Sequence, residues 1–298
     1  MSSSWPRTRP SMAARLVALA AALPLLATAT LKPAAARDLR VCADPNNLPF
    51  SDKAGGGFEN RIAEIVAKDL GAQLTYTWWA QRRGFLRNTL NAGLCDVVPG
   101  LPVGVEMARP TAPVYRSGYA FVQKADAVPI TALDDPRLKD LRIGVQMVGD
   151  DGYNTPPAHA LSRRGIVANV RGYDLYGDYG TPHPPSRIVE AVAKGEVDVA
   201  VVWGPLAGYF AARQDPPLQV HLVRPPFDGA RLPLAFDIGF AVRREEDGGA
   251  FAQEIGGALR RHRAEIDAIL VDYGVPRLDT PETQDAPNPT PSRQDSQR

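Results

Sequence analysis

The sequence predicts an α/β fold made of two similar lobes, and an internal repeat is the first reason. Residues 188–204, I-V-E-A-V-A-K-G-E-V-D-V-A-V-V-W-G, read as a helix, a glycine and then Asp-Val at the head of an apolar strand. Residues 89–100, T-L-N-A-G-L-C-D-V-V-P-G, show the same order. Valines pointing to both faces of 197–203 are typical of a parallel strand covered by helices. Two apolar stretches, 120–124 and 236–244, link the halves, which predicts two doubly wound lobes joined by two crossover strands around a central cleft.

Residues 1–36 are predicted to be a signal peptide that is removed from the mature protein. A basic segment precedes the apolar run 16–26, which is too short to remain as a membrane anchor. Small residues favour cleavage after Ala36, so that Arg37 begins the mature chain, and the A-T-A tripeptide 27–29 is the second choice. The sequence therefore predicts an exported, soluble, periplasmic protein.

The mature chain carries a small negative charge. The whole sequence has a formal net charge of +1, and the leader holds four basic residues and no acid, which leaves +1 − 4 = −3. This balance offers no basic surplus for binding nucleic acid or an anionic membrane. We therefore expect neither a nucleic-acid partner nor insertion into a membrane.

The domain bounds follow from the repeat and from the two crossings. Residues 37–124 are predicted to form the first part of lobe one, and residues 125–234 to form lobe two. Residues 235–278 are expected to return to lobe one as a strand and a C-terminal helix. The tail, 279–298, has no apolar residue able to anchor it and is expected to be disordered.

Hydrophobic periodicity places the elements of both lobes. In lobe one, strands are expected at 39–43, 74–79 and 95–101, and helices at 58–70, 85–92 and 251–273. In lobe two, strands are expected at 141–147, 167–173 and 197–203, and helices at 156–164 and 187–194. Pro205 suits the first position of the helix that follows the last of these strands. Loops after parallel strands open on one edge of a sheet, which is where we expect the cleft.

The two cysteines, Cys42 and Cys95, are predicted to form a disulfide bond. Cys42 lies inside the first strand and Cys95 opens the third, and a 2-1-3 strand order makes these strands neighbours about 5 Å apart. An oxidising compartment favours bridging of such a pair. The bond would close a loop of 95 − 42 = 53 residues, worth roughly 4 kcal/mol on the chain-entropy model. Two buried free thiols are the alternative, and nothing resembles the C-x-x-C of a redox-active pair.

Five segments of the mature chain carry a resemblance to a known family. They are D-P-N-N-L-P-F-S, G-F-E-N-R-I-A, W-W-A-Q-R-R-G-F-L-R-N-T-L, C-D-V-V-P-G-L-P and V-D-V-A-V-V-W-G-P-L-A-G-Y-F. The order and spacing of the elements resemble the type II periplasmic binding protein fold of ABC-transporter substrate-binding proteins (family 3-like). Within that fold, the segments are similar to the MxaJ/XoxJ-type proteins, which are described as quinoprotein dehydrogenase-associated. The resemblance implies an accessory role, with a PQQ-dependent methanol dehydrogenase as the protein partner.

Two charged groups that amino-acid-binding proteins of this fold use are absent. Such proteins typically place an arginine after the third strand, where it grips the ligand carboxylate, and Met107 falls at that position here. They also place an acid at the end of the last strand of lobe two, where this chain has Trp203. A free amino acid would leave its carboxylate unpaired, at a cost of several kcal/mol. We therefore expect a different occupant.

The rim of the cleft is predicted to bind a partner or ligand through polar and aromatic side chains. The candidates are Asn46, Asn47, Phe50, Trp79, Arg82, Asp150, Asp151, Tyr173, Tyr176, Tyr179 and Trp203. The strongest candidate for a protein contact is the insert, residues 174–185, which is rich in Tyr, Gly and Pro. Tyrosine brings contact area at low entropic cost, and such long loops are uncommon without a function.

Several polar and aromatic candidates also have a purely structural interpretation. Asn46 and Asn47 are of a type that often hydrogen-bonds its own loop backbone. Trp78 and Trp79 are adjacent on a strand and point to opposite faces, so that one of them belongs to the core. Trp203 is as compatible with the core as with a ligand.

The charged candidates also have a purely structural interpretation. Arg82 and Arg83 stand just before a predicted helix, where solvated side chains are common. Asp150 and Asp151, with Asn154, hint at a Ca²⁺ loop, but the alternating ligand pattern of such loops is missing.

The sequence contains no motif for catalysis. Its histidines show no metal-ligand spacing, and it has no G-x-S-x-G, P-loop or dinucleotide fingerprint. We therefore predict no enzyme, no cofactor and no metal site.

The predicted function is that of a periplasmic accessory protein that associates with a PQQ-dependent methanol or alcohol dehydrogenase. It would assist maturation or activity of that enzyme in methanol oxidation, with a peptide segment or a small ligand in the cleft. The alternative is a solute-binding component of an ABC importer for a small, non-amino-acid ligand. An enzyme of unrecognised type would need a titratable cluster that the sequence does not show.

Overall fold

A computed structural model describes residues 37–147, 154–244 and 248–278. The signal peptide predicted at 1–36, the tail predicted at 279–298, and the candidates Asp150 and Asp151 lie outside the described residues. Within the described ranges, no helix is long and apolar enough to cross a membrane.

The strands and helices of the described chain fall into three parts. The first part contains β1 (Asp38–Ala43), β2 (Asn46–Asn47), β3 (Ser51–Asp52), α1 (Phe58–Asp69), β4 (Gln73–Trp78), α2 (Phe85–Asn88), β5 (Val97–Pro102), β6 (Arg109–Pro110) and β7 (Tyr115–Gln123). The middle part contains β8 (Ile143–Met147), α3 (Pro156–Arg163), β9 (Val170–Asp174), α4 (Arg187–Ala193), β10 (Val199–Trp203), α5 (Gly204–Ala211), β11 (Gln219–Leu222), β12 (Phe227–Asp228) and β13 (Leu232–Pro233). The last part contains β14 (Ala235–Val242), α6 (Gly248–Arg261) and α7 (Arg263–Asp272).

The strands form two copies of one arrangement. In lobe one the order is β4-β1-β5, and in lobe two it is β9-β8-β10, so the first strand of each lobe lies between the second and the third. These neighbours pair in parallel. The predicted α/β class and the 2-1-3 order are confirmed. The exact residue bounds of the lobes stay a prediction.

Two crossing strands, β7 and β14, join the lobes. Strand β7 pairs antiparallel with β14 over residues 115–118, and with β10 and β11 from residue 119 onwards. Strand β14 in turn pairs antiparallel with β5. The result is a continuous ten-stranded sheet that runs through both lobes. Strand β7 is longer than the strand predicted at 120–124, because its first residues pair with the return strand far along the chain.

Strand β10 shows how the sequence pattern produces the core. Its residues Val199 and Val201 pack in an apolar cluster with Ile143 on one face of the sheet. Ala200 and Val202 belong to the larger cluster on the other face. Both faces of the strand are covered, as its continuous apolar run predicts.

One helix of lobe one is shorter than its sequence pattern predicts. The helix expected at 85–92 ends at Asn88, and Thr89 leaves the helical region with φ −124° and ψ −84°. The Thr89 hydroxyl donates to the Phe85 carbonyl oxygen at 2.6 Å, which closes the last turn. A smaller difference concerns Pro205, which is the second residue of α5 and not the first.

The single helix predicted at 251–273 is interrupted. His262 separates α6 from α7, with a non-helical backbone at φ −101° and ψ 20°. Its ring nitrogens lie 3.0 Å from Asp69 Oδ1 and 3.2 Å from Glu265 Oε2. These contacts hold His262 against the end of α1, so the two helices meet at that point.

The predicted disulfide bond between Cys42 and Cys95 is confirmed. Their Cα atoms are 5.6 Å apart, and the bond joins Cys42, near the end of β1, to Cys95, two residues before β5. The alternative of two free thiols is wrong, since neither cysteine is free.

Candidate binding site at the cleft

A buried carboxylate ties together the loops that follow β1 and β4. Asp44 is 1% exposed and accepts hydrogen bonds from the backbone N–H of Gln81 at 2.7 Å and of Asn46 at 2.9 Å. Asn47, 2% exposed, donates from Nδ2 to Gln81 Oε1 at 3.1 Å. The pKa of Asp44 is raised, because the effect of burial outweighs the lowering by its two backbone hydrogen bonds and by the Arg82 charge. The loop is therefore held in one conformation at the carboxyl ends of the strands.

Asn46 connects this loop to the insert of lobe two. Its Nδ2 donates to the carbonyl oxygens of Asp178 at 3.1 Å and Thr181 at 2.9 Å. On the far side, the Arg187 guanidinium binds the Asp178 carboxylate and donates to Thr181 Oγ1 at 2.7 Å. The Arg187 contact lowers the pKa of Asp178. The insert is thus anchored in lobe two and hydrogen-bonded to lobe one.

Tyr176 of the insert faces two carboxyl groups of lobe one. Burial raises the pKa of its hydroxyl, a hydrogen bond with Gln146 lowers it, and the charges of Asp44 and Glu59 raise it further. The sequence placed Tyr176 and the loop after β1 on the same cleft, and the structure brings them together. Tyr176 and Asn46 are each partly buried, so this part of the site is polar and retains some exposure to solvent.

Arg82 and Tyr173 each pack against the backbone of a glycine. A Cβ built on Gly177 would lie 3.3 Å from Arg82 Nη1, so the guanidinium rests on the insert. A Cβ on Gly144 would lie 3.3 Å from the Tyr173 ring, which also has the Arg171 guanidinium 5.4 Å from its centroid. The buried Tyr173 hydroxyl has no hydrogen-bond partner among the described residues.

The exposed part of the site is apolar and aromatic. Trp79, just after β4, is 41% exposed, and Tyr179 of the insert is 55% exposed. Val103 and Met107, in the loop after β5, are 41% and 43% exposed. These exposed apolar side chains lie in loops that follow the strands or in the insert, at the predicted rim of the cleft.

Two of the candidates lie in aromatic packing. Phe50 is 8% exposed, with its ring centroid 5.5 Å from that of Phe58. Trp203, the last residue of β10, is partly buried, with its ring 5.6 Å from that of Tyr119 on β7 and 6.0 Å from that of Phe236 on β14. The structural interpretation accounts for both positions, and a binding role for either stays a prediction.

Glu59 is a candidate that sequence reasoning missed. It is 4% exposed and forms no side-chain hydrogen bond or ion pair with any residue that the structure describes. Burial raises the pKa of its carboxyl group to about 8. An acid in the first turn of a helix ordinarily faces solvent near the positive end of the helix dipole, so nothing in the sequence marks this one as buried.

His262 contacts the carboxylates of Asp69 and Glu265, but this cluster of the described ranges does not have the geometry of a metal site. No group of three or more His, Cys, Asp or Glu residues there has an arrangement that could hold a metal ion.

The chain is similar over most of its length to curated proteins. It is 34% identical over 296 residues to protein MoxJ of Methylorubrum extorquens, covering 89% of this chain and 95% of that protein. It is 32% identical over 281 residues to protein MoxJ of Paracoccus denitrificans, with coverage of 88% and 94%. The chain belongs to the MoxJ family. No family model matches this MoxJ-family sequence.

Solved structures agree with membership of the MoxJ family. The periplasmic binding protein XoxJ from Methylobacterium extorquens AM1 is 35% identical, with a TM-score of 0.65, covering 81% of this chain and all (100%) of that one. MxaJ from Methlophaga aminisulfidivorans MPT is 27% identical, with a TM-score of 0.67 and coverage of 80% and 100%. The resemblance to MxaJ/XoxJ-type proteins and the type II periplasmic binding protein fold are therefore confirmed.

Proposed function

We propose that this MoxJ-family chain is a periplasmic accessory protein that associates with a PQQ-dependent methanol or alcohol dehydrogenase and assists its maturation or activity. It acts by binding and not by catalysis, after export and cleavage near Ala36. Relatives named MoxJ, and a similar structure described as the periplasmic binding protein XoxJ, support this proposal. The dehydrogenase as partner is what the resemblance of the sequence to the MxaJ/XoxJ-type proteins implies.

The apolar rim of the bridged cleft is the observation that carries the proposal. Trp79, Val103 and Met107 of lobe one and Tyr179 of lobe two are each more than 40% exposed. Exposed apolar surface and aromatic anchors are typical of protein-binding sites. The bridge from Asn46 to the insert restricts entry of a solute, whereas a protein segment can bind to the rim without breaking it.

Co-purification of residues 37–278 with the periplasmic PQQ dehydrogenase of the same organism tests the association, with the enzyme as apo and holo forms. The double variant Trp79→Ala/Tyr179→Ala is expected to bind at least about tenfold more weakly, since aromatic hot spots dominate binding energy. Phe227→Ala is the matched control, because Phe227 is 49% exposed but lies on the β12–β13 hairpin. Deletion of residues 174–185 should also weaken binding.

Two results would contradict this use of the rim. One is an equal loss of affinity in the Phe227→Ala control, which would mean that any exposed aromatic residue matters. The other is an unchanged affinity after deletion of the insert.

Solute binding is a second candidate function, because two buried polar groups, on the loop after β1 and on α1, have no partner among the described residues. The buried Asn47 Oδ1 accepts no hydrogen bond, and the Glu59 carboxyl group has no hydrogen-bond partner among the described residues. A ligand with hydrogen-bond donors would satisfy both. A thermal-shift screen tests this function, because a ligand at a hundred times its Kd adds about 2.7 kcal/mol of stability. A strong shift together with no retention of the dehydrogenase would favour the solute-binding function.

A further inference from the structure

A groove on lobe one, beside α6, has no role in the function proposed above. It consists of two adjoining cavities of about 360 and 240 Å³, which share Ala112, Gly256 and Arg260. Residues 109–114 form one wall, and α6 with the beginning of α7 forms the other.

The Arg109 end of the groove lies at the edge of the sheet opposite the cleft. Arg109 pairs with Val242 of β14, and Val242 also pairs with Val97, the first residue of β5. The cleft loops instead follow the last residues of the parallel strands, at the carboxyl edge of the sheet. The groove is therefore a surface separate from the rim.

The groove is lined by arginines, and two of them have no counter-ion among the residues that the structure describes. Arg109, Arg260 and Arg263 line it, and no acidic residue of the described ranges does so. Arg263 pairs with Asp267 at 2.9 Å. The side chains of Arg109 and Arg260 form no hydrogen bond or ion pair with any described residue. A concentration of unpaired guanidinium groups is notable in a mature chain with a net charge of −3.

The floor of the groove is apolar, and its helical wall carries little side chain. The buried residues Val114, Leu259 and Ile266 form the floor. On the wall, a Cβ on Gly249 or Gly256 would meet nothing nearer than an arginine guanidinium, at 3.6 and 3.5 Å. Glycine weakens a helix, and packing inside this chain does not require it at these two positions. Because Gly249 and Gly256 have no side chain, another backbone has room to approach α6.

We propose that this groove is a docking site for an acidic polypeptide segment of a partner protein. Carboxylates of the segment pair with Arg109 and Arg260, whose planar guanidinium groups match a carboxylate with two hydrogen bonds. An apolar side chain of the segment packs on Val114, Leu259 and Ile266. The identity of the partner as a PQQ dehydrogenase rests on the proposed function, whereas the chemistry of the segment rests on the groove alone.

The charge-reversal variant Arg109→Glu/Arg260→Glu tests the proposal. Its affinity for the dehydrogenase, measured by titration at two salt concentrations, is expected to fall at least about tenfold and to depend less steeply on salt. Arg231→Glu is the matched control, because Arg231 is also an exposed arginine but lies between β12 and β13. The control is expected to bind like the wild type.

A second variant, Gly256→Leu, blocks the groove without changing its charge. Leucine is a better helix former than glycine, and the nearest atom to the new Cβ is the movable end of Arg260. The melting temperature should therefore not fall, while the affinity falls about as much as in the charge-reversal variant. Equal binding by the wild type and both variants would overturn the groove proposal and leave the proposed function standing.

Failure of the wild type to retain the dehydrogenase would instead count against the proposed function. The groove is then tested with a synthetic glutamate-rich peptide that has one central leucine. Binding that Arg109→Glu/Arg260→Glu abolishes would support the groove, and absence of binding would overturn it. A further outcome overturns it: tighter peptide binding by residues 37–278 than by residues 37–298, lost in the double variant, would mean that residues 279–285, D-T-P-E-T-Q-D, compete for the groove.

Discussion

The carboxyl group of Glu59 lies directly against the backbone of Gly100. A Cβ built on Gly100 would stand 1.8 Å from Glu59 Oε1, and the backbone there has a φ of +71°. The first turn of α1 is thereby packed onto the backbone of β5. Any side chain at position 100 would have to move a buried acid and adopt an unfavourable backbone conformation.

We expect Gly100→Ala to lower the free energy of unfolding by more than about 2 kcal/mol, because strain and steric overlap add. Gly104→Ala is the matched control: its φ is +100°, but a Cβ there would meet nothing within 4 Å. Urea-induced unfolding of both variants measures the difference. Equal losses in the two variants would mean that contact with Glu59 contributes nothing.

The buried Glu59 should make stability depend on pH. Its pKa rises from 4.5 to about 8 on folding, so the folded chain holds a proton that the unfolded chain has released. The stability that Glu59 contributes is therefore complete below pH 4.5 and is lost as the pH rises to about 8, by about 1.4 kcal/mol per pH unit.

Glu59→Gln should remove this dependence and give a larger free energy of unfolding than the wild type at pH 8. Urea unfolding between pH 4.5 and 9 measures both profiles, and Glu64→Gln, an exposed position on the same helix, is the control. Parallel profiles for the wild type and Glu59→Gln would show that the acid is not protonated in the folded state.

Asn46→Ala should loosen the insert. The change removes the hydrogen bonds to Asp178 and Thr181, each worth about 1 kcal/mol. Amide hydrogen exchange in residues 174–185 is therefore expected to accelerate by about tenfold or more. Asn91→Ala, at an exposed position with no side-chain hydrogen bond in the described structure, should leave that exchange unchanged. Unaltered exchange in Asn46→Ala would mean that lobe two alone holds the insert.

Loss of the disulfide should destabilise lobe one. The bond between Cys42 and Cys95 spans 53 residues, and its removal is expected to cost about 4 kcal/mol of unfolding free energy. Cys42→Ala/Cys95→Ala and the reduced wild type should show similar losses in thermal or urea unfolding. A change below about 1 kcal/mol in both would contradict the prediction.

The sequence predicted the strand order and the main helices because their signals are local. The two-sided apolar run of β10 and the helical spacing in α1 do not depend on distant residues. The end of α2 at Thr89 and the break at His262 were missed, because each depends on a side-chain contact and not on periodicity. Helix ends of this kind are decided by capping and tertiary contacts.

The candidate site divides in the same way. The loop with Asn46 and the insert with Tyr176 were both predicted at the rim of the cleft, because the cleft lies at the ends of the parallel strands. The burial of Glu59 could not be predicted, since it depends on the missing side chain of Gly100. The groove beside α6 likewise arises only when residues 109–114 pack against a helix from the other end of the chain.

Strand β7 belongs to both lobes at once. Residues 115–118 pair with β14, and the residues from 119 onwards pair with β10 and β11. Melting of either lobe alone would leave unpaired backbone groups along half of this central strand. The molecule is therefore expected to unfold on heating as one cooperative unit, with a single calorimetric peak, although its sequence contains an internal repeat.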